Sequence, residues 1–240
     1  MKAATRPAPT ATVDTSNDPL PAALPDQDAR PLRVLIVDDH AIVRGGLKQI
    51  IADKFPQAIF AEAANVHQAL WQLHNSPWDV MLLDITMPGR SGLDLLHDVR
   101  AIQPRLKVLV VTMHPEDQYA MRVLKLGAAG YLTKEKASNE VIQAVERVLT
   151  GGKYVSPTLA ESLVARFDAP SRKPPHERLS DREYETMVLI ASGKSAKEIA
   201  ADLSLSIKTV STYRTRLLKK MRFQTNADLI RYAMRERLVD

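Results

Sequence analysis

"RVLIVDDH", Arg33 to His40, runs four apolar residues straight into two adjacent carboxylates, Asp38 and Asp39. Leu35 to Val37 shows no polar alternation, the pattern of a strand buried on both faces in a helix-covered parallel sheet. Two like charges at the end of such a strand repel and must be hydrated or neutralised. The stretch therefore points to a parallel α/β sheet with something positive at its edge.

Working outward, strand-like and helix-like segments alternate from Arg33 to about Thr150. "AIVRGGLKQIIADKF" carries Ile42, Val43, Leu47, Ile50 and Ile51 at helical spacing. "AIFAEA" precedes a helical pattern over Val66 to Leu73, and "DVMLLDI" precedes one over Leu93 to Ile102. "KVLVVT" leads to Tyr119–Leu126, and "GYLTK" to Val141–Leu149. Five strands and five helices in alternation predict a doubly wound, five-stranded parallel sheet of flavodoxin-like type, residues 33–150. Ligands of such sheets sit beyond the carboxyl ends of the strands. Those ends carry Asp38 and Asp39, Asp84, Thr112 and Lys134.

Three carboxylates at one rim suit Mg²⁺, a hard cation that takes oxygen ligands and arrives with phosphate oxygens. A carboxylate beside it can attack an activated phosphoryl group to form an acyl phosphate. Lys134 would offset charge on the transferring oxygens. Asp84 is the expected nucleophile, because it stands alone after an apolar strand and opens the loop "ITMPGRSG", whose Pro88, Gly89 and Gly92 set the turns. Asp38 and Asp39 are the expected metal ligands. Each residue alone has an ordinary reading: a strand-end Asp as a cap, Thr112 as a strand-end hydroxyl, Lys134 as a solvated lysine. Their company makes the site.

The C-terminal section reads differently. "TGGKYVSPTLAESLVARF" holds a short amphipathic helix, and "DAPSRKPPHE" an extended Pro-rich spacer, so 151–177 is a linker. Residues 178–240 show no strand pattern. Ser180–Glu183 and Ser195–Glu198 fit capping boxes opening "SDREYETMVLIASG" and "SAKEIAADL". Leu205 and Ser206 turn into "IKTVSTYRTRLLKKM", and "NADLIRYAMRERL" closes the chain. Two short helices joined by a tight turn, the second rich in Lys, Arg, Ser and Thr, form a helix-turn-helix. The charge agrees. Of the net +5, the section from Arg172 onward carries +6 and the remainder −1, which marks a polyanion partner for the C-terminal module.

At these residues the chain resembles a known family. "VDD", "LLDITMPG", "VLVVTMH" and "GAAGYLTK", in this order, look like the receiver domain of two-component response regulators. "LSDREYETMVLIASGKSAKEIAADLSLSIKTVSTYRTRLLKKM" resembles the LuxR-type helix-turn-helix. Together they resemble the NarL/FixJ class over residues 33–240. The resemblance implies a phosphorylation-controlled, DNA-binding transcription regulator that is not a metabolic enzyme. Asp84 falls at the phospho-acceptor position, fed by the phosphohistidine of a sensor histidine kinase. Asp38, Asp39, Asp84 and the carbonyl of Thr86 are the implied Mg²⁺ ligands, and Thr112, Tyr131 and Lys134 the switch residues. On the recognition helix, Lys208 and Thr209 fall at the phosphate-facing start. Ser211, Thr212 and Thr215 fall on the groove face, with Tyr213 where a histidine is common. Arg214, Arg216, Lys219 and Lys220 neutralise backbone, Arg214 or Arg216 also being placed to read guanine. Val210, Leu217 and Leu218 fit the core. Arg222 stands where the family has Gly, a cost to a left-handed cap, and Phe223 is expected to pack inward. Double-stranded promoter DNA and a second copy of the chain are the implied partners.

Other classes fit less well. A haloacid-dehalogenase-type enzyme needs an acidic residue two after its nucleophile, and Thr86 stands there. "VDDHAIVRGG" lacks the glycine spacing of a dinucleotide binder. A receiver governed by protein contacts instead of phosphate would show an eroded acidic site, and all five positions are intact. The chain has no cysteine, which excludes disulfides and cysteine-ligated zinc. That usage, with no membrane-length apolar run and no secretory apolar core, suits the cytoplasm. Residues 1–32 read as a disordered tail. Trp71 and Trp78 are expected to pack, Met81, Met113, Met187 and Met221 to fill core or boundary sites, Tyr131 to be half-buried, and His67 and His74 to be surface residues.

Overall fold

In the computed structural model, residues 30–161, 174–236 and 238–239 are described. The expected tail therefore lies outside the described residues except for its last three positions, as does 162–173 of the expected linker. The elements run β1 (Arg33–Val37), α1 (Ala41–Lys54), β2 (Ile59–Ala63), α2 (Val66–Asn75), β3 (Val80–Leu83), α3 (Gly92–Ile102), β4 (Lys107–Thr112), α4 (Glu116–Leu126), β5 (Gly130–Thr133) and α5 (Lys134–Leu149). A 3₁₀ turn (Pro175–Arg178) leads into α6 (Asp181–Ala191), α7 (Ala196–Asp202), α8 (Ile207–Met221) and α9 (Asn226–Arg235).

All five strands are parallel, in the order β2-β1-β3-β4-β5. The order reverses direction between β1 and β3, and such a switch point opens a crevice at the strand ends. Val37 pairs with Leu83, so the next residues, Asp38 and Asp84, emerge side by side. Side chains alternate across the pleat. Val34, Ile36, Leu82, Leu109 and Val111 meet Leu47 and Ile51 of α1 and Val141, Val145 and Val148 of α5. Leu35, Val37, Met81, Leu83 and Val110 face α2, α3 and α4 in a second core that continues into the C-terminal helices. Both faces being covered explains why β1 and β3 read as unbroken apolar runs.

The C-terminal helices owe their starts to local chemistry. Ser180 with Glu183, Ser195 with Glu198, and Thr225 with Asp228 form reciprocal capping boxes, each satisfying two backbone donors the helix cannot. Met187, Ile199, Val210, Leu217, Leu229 and Tyr232 fill the core between them. Phe223 packs inward, its ring centroid 5.4 Å from that of Tyr232.

Three expectations need correction. Trp71 is 60% exposed and Met113 66% exposed, because each lies on the outward side of its segment, away from both cores. Tyr131 is fully buried, since β5 is covered on the α4 side. Trp78, Met81, Met187 and Met221 are buried as expected.

Arg222 ends α8 with φ 58°, its N–H bonded to Leu218 and Lys219 carbonyls. A Cβ is disfavoured in that left-handed region. Arg222→Gly is expected to stabilise the chain by about 1 kcal/mol, seen as a higher urea midpoint at unchanged slope.

Candidate functional site

The crevice is built from the ends of β1, β3, β4 and β5. Asp38 and Asp84 are buried, and Lys134, first residue of α5, reaches between them with Nζ 2.6 Å from Asp38 Oδ2 and 2.7 Å from Asp84 Oδ2. Burial raises the Asp84 carboxyl above its ordinary range, and the Lys134 ammonium offsets only part of that rise. For Lys134 burial acts downward, but Asp84 and Asp38 outweigh it and the ammonium is held above its usual value. The three groups form a buried ion triad.

Backbone geometry fixes the carboxylates. Asp84 N–H donates to the Val37 carbonyl at 2.8 Å, and Asp84 Oδ1 accepts from Thr86 N–H at 3.2 Å. Asp38 Oδ1 accepts from His40 N–H at 2.8 Å, and Arg44 donates to the Asp38 carbonyl at 2.7 Å. Gly92 opens α3 so close behind the site that a Cβ there would lie 2.1 Å from the Asp84 carbonyl oxygen. Only glycine allows this approach.

Asp39 sits further out, one oxygen 2.8 Å from His40 Nδ1. Ligand atoms from Asp38, Asp39, His40 and Asp84 lie within 4.8 Å of one another. Three carboxylates dominate this donor set, which fits a hard divalent cation. His40 is an addition that the sequence reading passed over, although its adjacency to the acidic pair was visible.

Thr112 is wholly buried, and its hydroxyl makes no well-formed hydrogen bond among the described residues. It nevertheless lies near enough to Asp84 to favour the ionised carboxylate slightly. Tyr131 donates its hydroxyl to the His114 carbonyl at 2.9 Å, and burial drives its pKa up. Tyr131 therefore reaches the site through the β4–α4 loop and not by direct contact. Thr86 is placed in the loop after Asp84, its hydroxyl 2.6 Å from His114 Nε2. Burial, with Lys194 and Lys134 adding to it, lowers the His114 pKa to about 4, so its imidazole is neutral at pH 7. No local sequence pattern announces the Thr86–His114 pair, which joins residues 28 apart.

On α8, Lys208, Ser211, Thr212, Arg214, Thr215, Arg216, Lys219 and Lys220 are exposed, while Thr209 and Tyr213 are half-buried. Val210, Leu217 and Leu218 face inward. Ser206 caps the helix by accepting from Thr209 N–H at 3.0 Å. Thr212 and Thr215 bond back to the carbonyls of Lys208 and Ser211. Arg214 is tied to Asn226 at 2.7 Å and Lys220 to Glu183 at 2.6 Å. The face is thus cationic, and part of it is held in place by the neighbouring helices.

Known proteins share this arrangement. Residues 34–146 match the response regulator receiver domain, and residues 177–233 match bacterial regulatory proteins of the luxR family. The response regulator GacA of Pseudomonas protegens is 36% identical over 87% of this chain and 98% of its own length. The oxygen regulatory protein NreC of Staphylococcus carnosus is 34% identical over 87% of this chain and all of its own. RcsB of Salmonella enterica serovar Typhimurium, solved on promoter rprA in the presence of the phosphomimetic BeF₃⁻, is 25% identical, with 84% of this chain and 98% of that one aligned at a TM-score of 0.58.

A parallel receiver sheet joined to a DNA-binding helix-turn-helix defines a regulator of transcription. This chain belongs to the NarL/FixJ-type response regulators, the group with a receiver followed by a LuxR-type domain.

Removing one partner from a buried charge group leaves the rest uncompensated. Lys134→Ala is expected to destabilise the chain by about 3 kcal/mol. Adding Asp38→Asn to that variant should recover part of the loss. A denaturant double-mutant cycle measures both.

Proposed function

We propose that Asp84 accepts a phosphoryl group from the phosphohistidine of a sensor histidine kinase and that the resulting acyl phosphate controls DNA binding by α8. The observation that carries this reading is the triad at the switch point, together with the unpartnered Thr112 hydroxyl beside it. An Asp84 oxygen attacks phosphorus as the phosphorus–nitrogen bond of the donor breaks, and the leaving imidazole nitrogen keeps the bonding pair. Mg²⁺ held by Asp38, Asp39, Asp84 and the Thr86 carbonyl would supply charge neutralisation for the phosphoryl oxygens. Lys134 already touches Asp84 and can follow its new oxygens. Thr112 can donate to them at little cost, since its hydroxyl makes no well-formed hydrogen bond among the described residues. Tyr131 senses the change through the His114 carbonyl. Slow hydrolysis resets the site, and no metabolic turnover is involved.

In this reading residues 33–150 receive the signal, 151–177 link, and 178–240 bind duplex DNA as one half of a homodimer on paired half-sites. Lys208 and Thr209 contact phosphate at the helix start, with Arg216, Lys219 and Lys220 along the backbone and Tyr213 donating to it. Ser211, Thr212, Arg214 and Thr215 face the groove. No helix among the described residues is long and apolar enough to cross a membrane, in keeping with a cytoplasmic regulator.

Incubation with a small-molecule phosphodonor and Mg²⁺ should add one phosphoryl group to the native chain by intact mass, and none to Asp84→Asn. A native chain that binds promoter DNA but never takes up the group would show that the receiver is only a docking domain. Separately, Lys208→Ala should weaken DNA binding across sequences and reduce the slope of log K against log salt by about 1. Titrations at several salt concentrations test this.

A further inference from the structure

At the end of α8 remote from its Ser206 cap, a cleft of about 560 Å³ opens between α8, α9 and the 3₁₀ turn. That volume lies within the usual range of small-molecule sites, about 300–1,000 Å³. The lining is cationic. Arg178 comes from the 3₁₀ turn, Lys220 from the last turn of α8, Arg222 from just beyond it and Arg235 from the end of α9. Glu236 is the one carboxylate in the wall among the described residues, and Arg235 already engages it at 3.2 Å. Lys220 is held by buried Glu183 at 2.6 Å. Four cations against two carboxylates leave a surplus of two. The surplus resides on Arg178 and Arg222, which are exposed and have no ion-pair partner among the described residues.

Cations at helix ends ordinarily complement the macrodipole, and Lys219, Lys220 and Arg235 suffice for that here. Arg222 is a different matter. It occupies the left-handed region at φ 58°, where a glycine would close the helix without strain. Strain of this kind persists where the side chain has a task that the better-suited residue cannot perform. The Arg222 side chain lines the cleft, and a guanidinium takes phosphate through two parallel N–H donors. Arg178 offers a second such fork on the facing element. The other walls are apolar and fixed. Tyr232 is buried, its hydroxyl 2.7 Å from His176 Nδ1 and its ring centroid 5.3 Å from the Arg235 guanidinium. Pro175 adds a rigid flat surface. Since a water takes about 30 Å³ of liquid, the cleft is far larger than one phosphate needs.

We propose that this cleft binds a nucleoside polyphosphate, its phosphate groups taken by Arg178 and Arg222 and its nucleoside set against Pro175 and the Arg235–Tyr232 pair. Charge surplus selects the polyphosphate, and the remaining volume with its apolar walls selects the nucleoside. The groove-facing Ser211, Thr212 and Thr215 are not in the wall. Lys220 is the one DNA contact proposed above that the cleft shares, so the two sites are largely separate.

The test is calorimetric titration of the full chain with ATP in metal-free buffer, so that the acidic crevice at Asp84 holds no Mg²⁺ to attract the phosphates. ATP should bind at one site, tripolyphosphate more weakly, and adenosine without measurable heat. Arg222→Gly should weaken ATP binding roughly tenfold, the loss of one charge-assisted contact, while its urea midpoint rises. Weaker binding by a more stable chain cannot come from unfolding. Arg178→Ala should act in the same direction. Lys197→Ala removes an exposed cation of α7 outside the cleft and should leave the affinity unchanged. Equal losses in all three variants would show diffuse attraction to a basic surface and overturn the proposal. So would tripolyphosphate binding as tightly as ATP, or no ATP binding by the native chain. If Arg222→Gly instead weakens duplex DNA binding and leaves ATP binding unchanged, the cleft belongs to the DNA interface and the nucleotide site is refuted.

Discussion

The ammonium of Lys134 lying between Asp38 and Asp84 is the constraint on which the rest of the receiver depends. Two buried carboxylates at adjacent strand ends would otherwise repel in a region of low polarisability, where one of them would have to take up a proton. One cation with two partners offsets part of that repulsion. It also ties β1, β3 and the start of α5 at a single point, on the rim where the sheet order reverses. The site's chemistry and the fold's closure therefore use the same charges. A buried ion group contributes little net stability against an apolar alternative.

Around this triad the packing is close and leaves little room for independent movement. Gly92 approaches the Asp84 carbonyl more closely than any side chain would permit. Ser91 is saturated by Ile85, Leu93 and Glu185. The Thr112 hydroxyl is the exception, a buried donor with no well-formed hydrogen bond among the described residues. Close-packed interiors pass displacement on instead of absorbing it. Contacts run from the Asp84 loop through Thr86 to His114 and Tyr119, and through Ser91 to Glu185.

The DNA-binding half is stabilised by different means. Its helices are short, with capping boxes at three starts and a shared apolar core. Short helices have little stability of their own, and caps together with tertiary burial supply it. This leaves the outer face of α8 free for hydrophilic side chains, among them the exposed cations Lys208, Arg214, Arg216, Lys219 and Lys220. The receiver packs on α6, the opposite structural role within the bundle. That packing leaves the outer face of α8 exposed.

Much of this was legible in the sequence. Unbroken apolar runs reported a doubly covered parallel sheet, and strand-end residues reported a site, because in such sheets the chain itself delivers those residues to one rim. Capping boxes at Ser180 and Ser195 and the basic turn-linked helix were readable because helix starts and charge patterns are local. Arg222 was visible as a glycine replacement, and its left-handed φ of 58° bears that out. The exposure of Trp71 and Met113 was not legible, since residue type states a preference for burial and only neighbours decide it. Nor were Thr86 with His114, or Ser91 with Glu185, pairs separated by 28 and 94 positions. The sequence by itself determined which elements form and which residues end the strands, because those follow from short-range periodicity and turn chemistry. Only the tertiary structure decided which charges meet and that α6 rests on the loop after Asp84, because contacts between distant segments depend on how complementary surfaces pack.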